Sequence, residues 1–131
     1  MNAAAAQTFD GQWSIGDFHS WLLDLQTTVR SRPTKQDALA IIYPRVEALW
    51  NHADNARTIH AGPLGDALYR QIRSVADAID TYVEFEHGIS ERPPSSPAQV
   101  KQLVTARSAL WNDLVTGVDD LLTEVEALIG G

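Results

Sequence analysis

Residues 96–131 read SPAQVKQLVTARSALWNDLVTGVDDLLTEVEALIGG. Within them Val100, Val104, Arg107, Trp111, Leu114, Val118, Leu121, Val125 and Leu128 recur at alternating spacings of three and four. That is the period of one face of an α-helix. Leu103, Leu110, Leu122 and Ile129 flank the stripe. Ser96 is placed to cap the helix, Pro97 occupies the favoured first position, and Gly130-Gly131 ends it. At 1.5 Å per residue such a helix is about 50 Å long. A rod with an apolar seam of that length needs other rods to cover it.

Reading backwards, Ile89 to Ser96 contains Pro93-Pro94 and is expected to be a stiff loop. Before it, Leu64, Leu68, Ile72, Val75, Ile79, Tyr82 and Val83 mark a helix that runs out near Gly88, and Gly62-Pro63 makes the turn ahead of it. A further helix carries Ala38, Ile41, Ile42, Val46, Leu49, Ala53 and Ala56 on one face, behind a capping box at Thr34 and Asp37. Pro44 lies inside it. Proline removes a hydrogen bond and clashes one turn back, so a kink near Ile41 to Tyr43 is expected, with a break into two helices as the alternative. The first helix follows the Ser14/Asp17 box, carries Phe18, Trp21, Leu22, Leu25 and Val29, and ends at Arg32-Pro33.

No stretch alternates with period two long enough to suggest a strand. Four amphipathic helices with short connections predict an all-α fold, an antiparallel up-down-up-down four-helix bundle with a long C-terminal helix. A tail of residues 1–13 precedes one domain, 14–131. The first helix is the shortest, so the far end of the last is expected to overhang it, or to be covered by Phe9 to Trp13.

Composition narrows the function. The chain has 131 residues, 44% hydrophobic and 21% charged, as in ordinary globular domains. It has no cysteine, which excludes disulfides, thiolate metal sites and cysteine nucleophiles. Seventeen acids against ten bases give a formal charge of −7, which argues against direct nucleic-acid binding. The start shows no positively charged region followed by an apolar run, and nothing approaches a membrane span. A cytoplasmic protein is the expectation.

Candidate chemistry is sparse. Glu84 and His87 have the Glu-x-x-His spacing of carboxylate-bridged metal bundles, but no second pair exists, and the alternative is a solvated helix end with Glu86. His60 is followed at once by a helix break, unlike a phosphotransfer histidine. There is no Gly-x-Ser-x-Gly elbow and no phosphate loop. Neither enzyme activity, a metal nor a cofactor is expected. Folding each helix back on its neighbour puts His19, Glu47, Asp77 and Arg107 near one level, and Trp50, Trp111 and Trp13 near another. Arg107 is the one ionisable group in its apolar stripe. It is expected either to pair with a buried carboxylate, Asp77 or Glu47, or to run along the stripe to solvent. The four tryptophans, Trp13, Trp21, Trp50 and Trp111, either fill the core or form an aromatic pocket or binding hot spot, with Trp13 the one free to stay outside.

Charge patterning carries the functional reading. From Asp113 onward the chain has Asp113, Asp119, Asp120, Glu124 and Glu126 and no base. Acids in the last turns of a helix oppose its dipole at a cost of about 0.3–1 kcal/mol each. The expectation is a non-enzymatic protein-binding module that offers Trp13, Asp113, Asp119, Asp120, Glu124 and Glu126 to a basic partner protein. Bacterial inhibitors, immunity and counter-defence proteins, and secretion chaperones share this size and charge, an analogy that does not fix function. The alternatives are a ligand- or metal-binding bundle and a structural protein that associates with itself, as in a homodimer.

Overall fold

The computed structural model describes residues 13–31 and 38–130. Among them are four α-helices and no strand: α1 Ile15–Arg30, α2 Arg45–Ile59, α3 Pro63–Glu91 and α4 Pro97–Gly130. One π-helical turn, Ala38–Ile42, precedes α2. The all-α bundle expected from the periodicity is what the chain forms.

The caps explain the helix starts. Ser14 Oγ accepts from the Asp17 amide at 3.1 Å, and Ser96 Oγ accepts from the Gln99 amide at 3.2 Å. Gln99 reaches back, its Oε1 accepting from the Ser95 amide at 2.7 Å. The two serine bonds satisfy amides that the helix itself leaves orphaned, and the Gln99 bond ties the preceding residue to the first turn. Gly62, at φ 95°, supplies the left-handed residue before α3. α3 continues past Gly88 to Glu91, so the connection to α4 is shorter than the expected loop. The Thr34/Asp37 box and Arg32-Pro33 lie outside the described residues.

At Pro44 the α-helical bonding is interrupted. The π turn ends at Ile42, Tyr43 and Pro44 form a turn, and α2 begins at Arg45. The Val46 amide bonds to Tyr43 O at 3.0 Å, one residue short of the α pattern. Proline has no amide to offer residue 40, and its ring crowds that carbonyl.

The core draws on every helix. Phe18, Leu22, Leu25 and Val29 of α1, Leu49, Ala53 and Ala56 of α2, Leu68, Ile72, Val75 and Ile79 of α3, and Leu114, Val118, Leu121 and Val125 of α4 are buried. Each large side chain removed from water in this way contributes about 1.5–3 kcal/mol. Alanines on the α2 face suit a close approach to α3, and Gly65 marks its tightest point. A Cβ there would lie 1.7 Å from His60 O.

Contacts fix the direction and level of neighbours. His19 and Arg30 of α1 meet Glu126 and Asp119 of α4. Asp24 of α1 meets Arg45 of α2, and Phe18 meets His52. Arg57 of α2 meets Asp66 of α3, and Trp50 meets Arg73. Tyr82 and Glu86 of α3 meet Trp111 and Arg107 of α4. In each pair of helices, one set of numbers rises as the other falls.

This register corrects two expectations. Arg107 levels with Glu86, not with Glu47 and Asp77. Trp111 levels with Tyr82 and Val29, far from Trp13. Val100 and Val104 at the start of α4 are 47% and 56% exposed; at its far end Val125 is buried and Ile129 is 48% exposed, and Phe9, expected to help cover that end, lies outside the described residues. Because α1 ends near the level of residues 111–119, the first turns of α4 extend beyond it.

Candidate functional site

Of the acids on α4, two are committed to the fold. Asp119 accepts from Gln26 Nε2 at 2.8 Å and pairs with Arg30, while Glu126 meets His19 Nε2 at 3.0 Å. Both clamp α1 to α4. Asp113, Asp120 and Glu124 are exposed and take no hydrogen bond or ion pair among the described residues. Their spacings of seven and four put them on one helical face. The acids expected to form a partner surface are therefore divided between contacts with α1 and solvent.

Trp13 is the second correction to that set. It is half-buried, not free: its Nε1 donates to His52 Nδ1 at 3.0 Å, and its ring lies 5.7 Å from Phe18 and 6.0 Å from His60. Phe18 and Trp21 pack on the His52 ring at 4.7 and 4.8 Å. With Nδ1 accepting, the imidazole proton belongs on Nε2. Burial drives the His52 pKa down from 6.5 to about 4, so the ring is neutral near pH 7.

Arg107 is the third. Its Nε and Nη2 donate to the two carboxylate oxygens of Glu86 at 2.9 and 3.0 Å. Glu86 has no exposed surface, which overturns its reading as part of a solvated helix end. The guanidinium is held above its usual pKa, first by the Glu86 bond and against the effect of burial. Tyr82 also bonds Glu86, and burial together with that bond pushes its phenol up. Trp111 closes the other side, 5.0 Å edge-on to Tyr82, with its Nε1 donating to Val29 O at 3.1 Å. Asp77, expected to be a buried partner, is exposed. With Glu84 it raises the Asp80 pKa, after the larger effect of desolvation. Glu86 was findable: it continues the Ile72, Ile79 stripe by seven residues, as Arg107 sits in its own stripe.

A fourth constellation had no forecast. On the face shared by α2 and α3, Trp50, Arg73, Tyr69 and Arg57 alternate. The Arg73 guanidinium carbon stands 3.5 Å from the Trp50 ring centre, and that of Arg57 stands 4.3 Å from Tyr69. Arg73 Nη1 donates to Tyr69 Oη at 2.6 Å, and Arg57 Nε lies 3.6 Å from Asp66.

None of these groupings assembles a nucleophile with a base. No group of three metal-binding side chains occurs among the described residues, and Glu84 and His87 gain no further ligand. Among the described residues no helix is long and apolar enough to cross a membrane. The surface carries exposed acids on α4 and cation–π pairs on α2 and α3. Compared with known proteins, the chain matches no family model, no curated protein and no solved structure.

Proposed function

We propose that the chain is a non-enzymatic protein-binding module whose exposed stripe Asp113, Asp120 and Glu124 engages a basic surface on a partner protein. The observation that supports this is the division of acids on α4. Asp119 and Glu126 hold α1, while the other three stand in water on one face with no counter-charge among the described residues. Such a stripe steers association and raises the rate of capture more than it lengthens the lifetime of a complex. Inhibitor, immunity, counter-defence and chaperone roles would each be served by fast capture of a basic partner.

The test is the variant Asp113→Lys, Asp120→Lys, Glu124→Lys. It should fold as the native chain does and capture its partner at least about tenfold more slowly at low salt, with the difference shrinking as salt rises. Unchanged capture kinetics would show that this face is not used. A second reading, self-association, is favoured by Val100 and Val104, which extend the core stripe into solvent. It predicts a concentration-dependent dimer in sedimentation that Val104→Lys abolishes.

A further inference from the structure

We infer that residues 1–12 dock across the end of the bundle formed by Ile59, Leu64 and Ile129, with the Phe9 ring entering the gap that α1 leaves there.

The three bundle residues share one level. Tyr82 of α3 and Trp111 of α4 meet with ring centres 5.0 Å apart. Leu64 lies eighteen residues before Tyr82 and Ile129 eighteen after Trp111, five full turns along each helix. Both therefore keep the inward orientation of that pair. Val75 Cγ2, 3.7 Å from where a Cβ on Gly117 would stand, holds the register midway. Trp50 against Arg73 and Arg57 against Asp66 set α2 on α3, and the same register brings Ile59 level with Leu64. Ile59 also lies seven residues after His52, on the face that meets Phe18 and Trp21 of α1.

Deeper in the bundle these helices are closed, and Ala56, Leu68 and Val125 are buried. At the end they are open: Ile59, Leu64 and Ile129 are 47%, 42% and 48% exposed. The missing wall is α1, which begins at Ile15. His19 meets Glu126, so Gly16 levels with Ile129. Gly16 has no side chain to offer, and among the described residues no neighbour comes within 4 Å of where its Cβ would stand. Phe18 meets His52, so the position opposite Ile59 falls upstream of Trp13.

The chain itself supplies the occupant. Residues 1–12 join the bundle at Trp13, whose ring stands 6.0 Å from that of His60, the residue after Ile59. Phe9 is four residues earlier, and four residues of chain reach about 14 Å at most. Packed helix axes stand about 8–10 Å apart, so that reach crosses the gap. Met1 and Phe9 are the large apolar side chains of the segment and Asp10 its one charged side chain. Tethering holds the segment at an effective concentration of about millimolar, well ahead of a second copy of the chain at micromolar concentration.

The experiment is nuclear magnetic resonance of the full chain with labelled isoleucine and leucine methyl groups. Phe9 ring protons should show nuclear Overhauser contacts to the Ile59, Leu64 and Ile129 methyls, unchanged on tenfold dilution. Phe9→Ser should raise the relaxation of those methyls by a soluble paramagnetic probe at least twofold, while the buried Ile72 and Leu121 methyls stay unaffected. Should that variant lose its fold, Ile129→Ser, at an exposed position, should move the Phe9 ring signals toward their free-peptide positions. The inference is overturned if the Phe9 ring contacts none of the three methyls, or if Phe9→Ser leaves their probe relaxation unchanged. It is equally overturned if their protection falls on dilution, which would assign the cover to a second copy.

Discussion

The Glu86–Arg107 pair makes an asymmetric prediction. Removing Arg107, as in Arg107→Met, leaves a carboxylate with no exposed surface and without its counter-charge. Breaking a buried pair from that side costs about 3–5 kcal/mol. Removing the other partner is milder. The Arg107 side chain is 39% exposed and can turn into water once Glu86→Gln has neutralised its acceptor. The expected loss is then about 1–2 kcal/mol, the worth of charge-assisted hydrogen bonds at a half-solvated site. Replacing both, with Glu86→Leu and Arg107→Met, should recover most of the stability, because the desolvation cost disappears with the charges. The single variants also differ in their response to pH. In Arg107→Met, burial without a counter-charge raises the Glu86 pKa above its unfolded value of about 4.3. The carboxyl is then tolerated below that value and penalised as pH rises through the raised one. The deficit of Arg107→Met should therefore be largest at pH 7 and should narrow toward pH 4.5, while that of Glu86→Gln should change little. Urea unfolding followed by far-UV circular dichroism measures all of this. Equal losses from the two single variants, or an Arg107→Met deficit indifferent to pH, would refute the reasoning.

Two further outcomes test the packing. The lowered His52 pKa means that the folded state resists a proton the unfolded state accepts. Stability is then fully present above pH 6.5 and declines as pH falls toward about 4. The gap is worth about 3 kcal/mol at about 1.4 kcal/mol per unit, and partial exposure lowers this to about 2 kcal/mol. His52→Phe should flatten this part of the stability profile, and a His52 ring signal titrating near pH 6.5 would disprove the burial argument. Gly65→Ala should cost about 3 kcal/mol or more in thermal unfolding, since its methyl would overlap His60 O and force α2 and α3 apart. A melting temperature unchanged from the native chain would show that the turn yields freely.

The fold was legible because apolar spacing reports helices directly. The α3 and α4 stripes forecast Leu68, Ile72, Val75 and Ile79, and Leu114, Val118, Leu121 and Val125, all of them buried. Register was not legible by the same means. A helix stripe says which face points inward but not how far one rod slides along another. The Gly88 signal suggested an early end to α3, and folding back from there placed Arg107 beside Asp77. Helix interiors tolerate a single glycine at about 1 kcal/mol, and α3 runs on to Glu91. Glu86 lies ten residues before Ser96 and Arg107 ten after Pro97. Two opposite charges in apolar stripes, equally far from one turn, are a register signal in their own right. It is stronger than the glycine, because each charge would be costly to bury alone.

The same slide redistributed the surface charge, and with it the functional argument. Asp119 and Asp120 are adjacent in sequence, yet successive residues point about 100° apart on a helix. One faces Arg30 and holds α1, while the other faces water. An acid-rich segment therefore divides into structural and available carboxylates only once its neighbours are placed. The arginines divide likewise: Arg107 and Arg45 are matched by Glu86 and Asp24, whereas Arg73 stacks on Trp50 and bonds the Tyr69 hydroxyl. Which charges stay available at the surface follows from how the helices are placed, and net charge predicts neither their number nor their sign.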